Sequence, residues 1–387
     1  MLQLPTIDGR IETYKLTGTP LVPRPPRVEF TRTAFAAAHV VSDPLEDATP
    51  WQGRPAIDWE QTLNIRSKLW DQGFDIAEAM DTAQRSMGVD WLTAKELIER
   101  TTAAARTHPA RPRVACGAGT DHLDTNSRSD IDAIIKAYET QMEAIEAADG
   151  QIILMASRAF GQIGASAEDY ANVYHRLIDQ AAEPVILHWL GSMFDPALGG
   201  YWGSDDLEVS SKAVLDIIAT NPDKVDGIKV SLLEQVHEER LRERLPDGVR
   251  LYTGDDFNYA KLIAGDGDRF SHALLGIFTA IAPAAAQALE ALSEDNLETY
   301  HRLLSPTVAL SREIFRSPTR YYKAGIALLS WVNGLQSHFI MPAGFQASRS
   351  ITHFAQVFRL ADQAGLLADP DLAKKRMRSL LATFGIE

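Results

Sequence analysis

Residues 151–189, QIILMASRAFGQIGASAEDYANVYHRLIDQAAEPVILHW, decide the fold. An apolar run, QIILMAS (151–157), is followed by a helical stretch that opens at Ser166 and is amphipathic through Ala182. A second apolar run, PVILHW (184–189), follows. Two short apolar runs joined by an amphipathic helix read as parallel strands with a crossover, both faces of the sheet being covered. Working outward, the same alternation recurs. Upstream lie AFAAAHVV (34–41), FDIAEAM (74–80) and RVACGAG (113–119); downstream lie VDGIKVS (225–231), VRLYTG (249–254) and FSHALLG (270–276). Helical stretches separate them: one opening at Asp58 and closing at Gly73, one over 93–107, and one opening at Ser129. Eight strands with helical crossovers predict a closed (β/α)8 TIM barrel. An open doubly wound sheet is the other reading, but no G-x-G-x-x-G or G-x-x-x-x-G-K-[ST] phosphate loop joins a strand to a helix.

Beyond the barrel, residues 1–33 are Pro-rich and predict an N-terminal arm. The barrel with its first C-terminal helices is expected over 34–335, and a helical appendage over 336–387, packed on the barrel or at an oligomer interface. The 387-residue length suits a barrel with extra helices. A net charge of −14 argues against nucleic acid or an anionic membrane as partner, since both require a basic face. The single cysteine, Cys116, rules out an intramolecular disulfide and a cysteine-tetrad zinc site. The opening residues MLQLPTIDGRIETYK lack a basic segment followed by an apolar one, so no signal peptide is expected and the cytoplasm is the default compartment.

Barrel active sites lie at the C-terminal ends of the strands. Polar residues there include Asp81, Thr82, Arg85, Asp121, His122, Ser157, His188, Lys229, Asp255 and Asp256. Lys229, flanked by Ile228 and Val230, is a lysine inside a strand. Burial lowers a lysine pKa, and a neutral amine attacks a carbonyl to form an imine. The alternative is a structural lysine, snorkelling to the mouth or paired with Asp226 or Asp255.

The order of motifs resembles the dihydrodipicolinate synthase/N-acetylneuraminate lyase family of class I aldolases. Gly227-Ile228-Lys229 resembles the family's Schiff-base motif in the sixth strand, and Gly254-Asp255-Asp256 its turn after the seventh. Residues 264–283 and 317–329 resemble its eighth-strand region and a late helix; EPVILHW (183–189) and LTAKELIERT (92–101) match its fifth strand and the helix after the second. The resemblance spans roughly residues 34–335 and implies a barrel enzyme that holds a carbonyl substrate on Lys229, with no cofactor because the protonated imine is the electron sink. It implies a homo-oligomer, a dimer or tetramer.

Departures from the family shape the expected substrate. His188 stands where the family has a proton-relaying tyrosine, and reads either as a proton shuttle or as a packed or metal-bound histidine. Asp81-Thr82-Ala83-Gln84-Arg85 replaces the turn that binds pyruvate's carboxylate; Asp81 would repel a carboxylate, while Arg85 either restores anion binding or faces solvent. The arginine after the fifth strand is replaced by Leu190-Gly191-Ser192-Met193. Lysine biosynthesis is therefore not expected. Within a keto-acid or keto-sugar class, an uncharged polyhydroxylated carbonyl compound fits better, with Thr82 and Ser157 orienting it and Asp121 or Asp255 polarising its hydroxyls. Residues 191–210 read as a lid whose Tyr201 or Trp202 stacks on a sugar, or as a surface excursion against a neighbouring subunit. Two rivals stand: a metal-dependent aldolase or isomerase built on His122, Asp121, His188, Asp81 and Asp255, and a non-catalytic barrel.

Overall fold

The computed structural model describes residues 1–46, 54–123 and 130–386. Ten strands run β1 Leu2–Pro5, β2 Ile11–Tyr14, β3 Ala34–Ala37, β4 Asp75–Glu78, β5 Val114–Ala118, β6 Gln151–Leu154, β7 Val185–Leu190, β8 Val225–Ser231, β9 Arg250–Thr253 and β10 His272–Leu275. The helices are α1 Trp59–Trp70, α2 Trp91–Thr107, α3 Ile131–Ala147, α4 Arg158–Ile163, α5 Ala167–Gln180, α6 Leu207–Thr220, α7 Gln235–Arg242, α8 Tyr259–Ala264, α9 Phe278–Ser293, α10 Leu297–Ile314, α11 Lys323–Val332, α12 Ile351–Gln363 and α13 Pro370–Ala382. Strands β3 to β10 are parallel and in chain order, and β10 pairs back onto β3, closing the expected barrel.

Local chemistry sets the crossovers. Asp58 caps α1 by accepting from Gln61 N at 2.9 Å, and Asp90 and Asp130 do the same for α2 and α3. Ser129, the expected opening of α3, lies outside the described residues. Ser166 and Asp169 form a reciprocal capping box on α5, as the opening at Ser166 predicts. The first strand is shorter than the apolar run 34–41: pairing ends at Ala37, and His39 leaves the barrel to hydrogen-bond Gln336.

Two apolar layers result. Phe35, Ala37, Ala77, Ala115, Ile153, Ile186, Tyr252 and Leu274 fill the barrel interior, and a larger shell packs the helices around it. At the N-terminal end of the barrel, Asp226 is engaged by Arg250 and by the Tyr252 hydroxyl at 2.6 Å, far from a role as Lys229's partner.

The arm is tied down by buried acceptors. Asp362 on α12 accepts from the Tyr14 hydroxyl and Thr17 N, both at 2.8 Å, and from Gly18 N. Glu290 on α9 accepts from Arg24 and from Arg27 N. No helix among the described residues is long and apolar enough to cross a membrane.

Candidate active site

The C-terminal ends of the strands open into a cavity of about 1020 Å³. Its wall includes Asp81, Arg85, Trp91, Asp121, His122, Met155 and Ser157, and one side is closed by Ile340–Ala343 of the C-terminal region. The appendage thus helps to shape the mouth, a role not legible from its position beyond the barrel.

Lys229 sits near the end of β8 with 9% of its surface exposed. Gly254 makes room for it: a Cβ there would lie 2.7 Å from Lys229 Cε and 2.1 Å from Ser231 Oγ. Burial lowers the amine to about 8, opposed by the charges of Asp256 and Asp81. Burial likewise raises the Asp256 carboxyl, opposed first by Lys229. Burial thus works against the charged form of both groups, while each charge favours the other.

Asp81 and Thr82 follow β4 in a short 3-10 turn, with Ala79 before it and Gln84 and Ser86 after it held at φ of 51°, 62° and 59°. Left-handed backbone at three non-glycine residues is strain retained by the surrounding structure. Thr82 hydrogen-bonds the Tyr322 hydroxyl at 2.8 Å. Burial raises the Tyr322 phenol well above its usual value, and Asp81 and Asp256 beside it raise it further. Lys323, the next residue, reaches Asp81 Oδ2 at 2.8 Å. Asp81 is thus ion-paired, and the bare carboxylate expected to repel an anion is corrected accordingly.

Arg85 neither faces solvent nor offers itself to an anion. Its five N–H groups go to both oxygens of Asp121, to Gln141 Oε1, and to the carbonyls of Ala79 and Gly117. Gln141 Nε2 in turn donates to Asp121 and meets His122 Nδ1. Asp121 is held below its usual range by Arg85 and Gln141, which outweigh its burial. These side chains brace the wall, and Arg85 lies 5.1 Å from the Trp91 ring. Asp121 as a polariser of substrate hydroxyls is corrected to an arginine counter-ion. Asp255 is likewise engaged, capping its own turn through Phe257 N, Asn258 N and Asn258 Nδ2. Thr82, His188, Lys229, Asp255 and Asp256 all lie behind the cavity wall rather than in it.

His188 pairs with Lys229 across β7–β8 and is 1% exposed. Burial, with Lys229 beside it, pushes its pKa well below the usual value, so the imidazolium half of a neutral-pH shuttle is disfavoured. Its Nε2 lies 3.4 Å from Ser231 Oγ and its Nδ1 has no partner among the described residues. Ser157 lines the cavity while capping α4 and touching Thr120 Oγ1 at 2.5 Å.

The lid reading of 191–210 is corrected. Tyr201 and Trp202 are 3% and 0% exposed. Trp202 packs 4.7 Å from the Tyr174 ring, and the Tyr201 hydroxyl accepts from Ser157 N at 3.0 Å. This loop is an aromatic buttress behind Ser157. Among the described residues, no three of His, Cys, Asp and Glu converge in a metal-binding group.

Reading the sequence alone missed Tyr322, Lys323, Gln141 and Trp91. The only signal for the first two was a lysine within the otherwise apolar YYKAGIALLSWV (321–332).

A family model described as a protein of unknown function (DUF993) matches residues 2–386. No curated protein matches the chain. Solved dihydrodipicolinate synthases share the fold: the Aquifex aeolicus enzyme superposes with a TM-score of 0.60 at 11% identity over 92% of this chain and 98% of that one. The Bacteroides thetaiotaomicron enzyme gives 0.61 at 13% over 92% and 100%. The Thermotoga maritima enzyme gives 0.61 at 12% over 87% and 100%.

Proposed function

The chain belongs to the DUF993 family, and we propose that it is a lyase that binds a carbonyl substrate as an imine on Lys229. The observation that carries this reading is a strand lysine buried at the C-terminal end of the barrel, where Asp256 and Asp81 act on it, set behind the wall of a wide cavity that Asp81 itself lines. The neutral amine adds to the carbonyl carbon, and the carbinolamine loses water to give a protonated imine. That imine accepts the electron pair released when the neighbouring carbon–carbon bond breaks: it becomes an enamine, and the hydroxyl on the departing carbon gives its proton to water as it becomes a carbonyl. Asp256 takes the proton that Lys229 must lose. Tyr322, on Thr82 and beside both carboxylates, is placed to pass protons to the carbinolamine oxygen as water leaves.

The substrate is an uncharged, polyhydroxylated ketone or aldehyde. Every arginine in the described cavity wall already faces a carboxylate: Arg54 with Glu96, Arg85 with Asp121 and Arg158 with Asp195. Asp43, Glu46 and Asp90 line the mouth with no ion-paired cation among the described residues. A wall of that sign disfavours an anionic ligand.

The test is borohydride trapping with neutral ketoses set beside 2-keto acids. Ketoses should give the higher yield of reduced adduct. Preferred trapping of 2-keto acids would overturn the substrate class, and loss of turnover to a chelator with Lys229→Ala still active would overturn the mechanism.

A further inference from the structure

Lys323 is a second buried lysine at the mouth, and it is at odds with its surroundings. It has 0% exposure and is the first residue of α11, where the helix dipole disfavours a cation. Its three N–H groups meet Asp81 Oδ2 at 2.8 Å, Arg320 O at 2.9 Å and Met87 Sδ at 3.6 Å. Its ammonium lies 4.5 Å from the Tyr322 ring centre. A lysine placed against both burial and dipole is retained for what it faces.

What it faces is Asp81. The carboxylate of Asp81 is shared by two lysines from distant parts of the chain, in contact with Lys323 and acting at longer range on Lys229. We propose that Lys323 is a positioning residue that engages the charge of Asp81 and so keeps the amine of Lys229 free to react. With Lys323 in contact with Asp81, Asp256 is the larger counter-charge for Lys229 and Asp81 the smaller, and Asp256 is itself buried and next to Asp255. Without Lys323, Asp81 turns its full charge on Lys229 and holds the amine protonated. The other groups facing this cluster do not replace it. His188 is neutral, Tyr322 is held protonated, and Arg320 and Arg158 act on Lys323 rather than on Lys229. This inference deepens the imine reading and rests on it, and it gives the C-terminal region a part in the chemistry.

The experiment needs no substrate. The full-length protein is trace-labelled with acetic anhydride across pH, and labelling of the Lys229 peptide is read by mass spectrometry. In the native protein the midpoint should lie at about 8. In Lys323→Met and in the more easily accommodated Lys323→Gln it should rise by about one unit, so that Lys229 labels roughly tenfold more slowly at neutral pH. Lys323→Arg should restore the native midpoint. So should the double variant Lys323→Met with Asp81→Asn, which removes the charge that Lys323 is there to engage. A merely structural role for Lys323 would change stability and leave the Lys229 midpoint where it is. An unmoved midpoint in folded Lys323→Met and Lys323→Gln, or failure of Asp81→Asn to restore it, overturns the proposal. The imine reading fails separately: no carbonyl would then be trapped on Lys229, whatever its labelling midpoint.

Discussion

Two of the buried cations in the barrel mouth, Arg85 and Lys229, differ in what their protons are free to do. Arg85 is 4% exposed with all five N–H groups engaged, and its partner Asp121 is pulled firmly into the carboxylate form. Lys229 is 9% exposed, has no ion-pair contact among the described residues, and shares a displaced titration with Asp256. The arginine side is a finished network and carries load between β4, β5 and α3. The lysine side is unfinished, and an unsettled proton is what covalent catalysis by an amine requires. Charge and burial alone do not separate the two; the number of satisfied donors does.

The comparison breaks most visibly at Lys229. Lys229→Ala should abolish carbonyl trapping while leaving the fold intact by circular dichroism, because no hydrogen bond of the described network runs through its amine. Arg85→Ala should do the reverse. It leaves Asp121 and Gln141 facing an empty site and should cost about 3 kcal/mol of stability in denaturant unfolding. The folded remainder should still label at Lys229 with its native midpoint.

The same contrast gives opposite pH behaviour. Trapping on Lys229 should rise as pH increases through about 8, following the neutral amine. Asp121 has a folded pKa below its usual 3.8, so its stabilising effect is present above that value and is lost as pH falls through the lowered one. Acid should therefore loosen the arginine wall, and base should activate the lysine. Rate and unfolding profiles recorded on one preparation separate the two.

Smaller effects sharpen the boundary of the reactive side. Tyr322→Phe removes the hydroxyl on Thr82 and keeps the ring stacked 4.2 Å from Phe315. Trapping should slow by roughly a hundredfold, the low end for loss of a general acid, with stability changed by about 1 kcal/mol. Glu290→Gln, far from the mouth, should cost about 1 kcal/mol by weakening its bonds to Arg24 and Arg27, with trapping unchanged. Burial opposes those bonds only partly, and Glu290 is held at about 2. Its contribution is present above its usual 4.5 and is lost as pH falls toward about 2.

The barrel was legible because each strand is local: a mostly apolar run of six to eight residues and the helix that follows it lie within one stretch of chain. Lys229 was legible for the same reason, as a lysine between Ile228 and Val230 within a strand. The partners were not. Arg85 meets residues 36 and 56 positions away, and Asp81 and Thr82 meet Lys323 and Tyr322 at separations of 242 and 240. A charge count at the mouth registers Asp81 as an unpaired carboxylate, because the cation that engages it arrives from a helix beyond the barrel. Tyr201 and Trp202 misled in the opposite sense. Their flanking glycines suggest a mobile loop, yet the aromatic face of α5 that buries them is only apparent once α5 is folded beside them.

The most direct test of the central claim is the site of the adduct. The protein is incubated with a neutral ketose, reduced with borohydride, digested and sequenced by mass spectrometry. A stable secondary amine on Lys229, absent from Lys323 and from the surface lysines, is the expected result. An adduct spread over exposed lysines, or none on the peptide carrying Lys229 with any carbonyl compound, would contradict it.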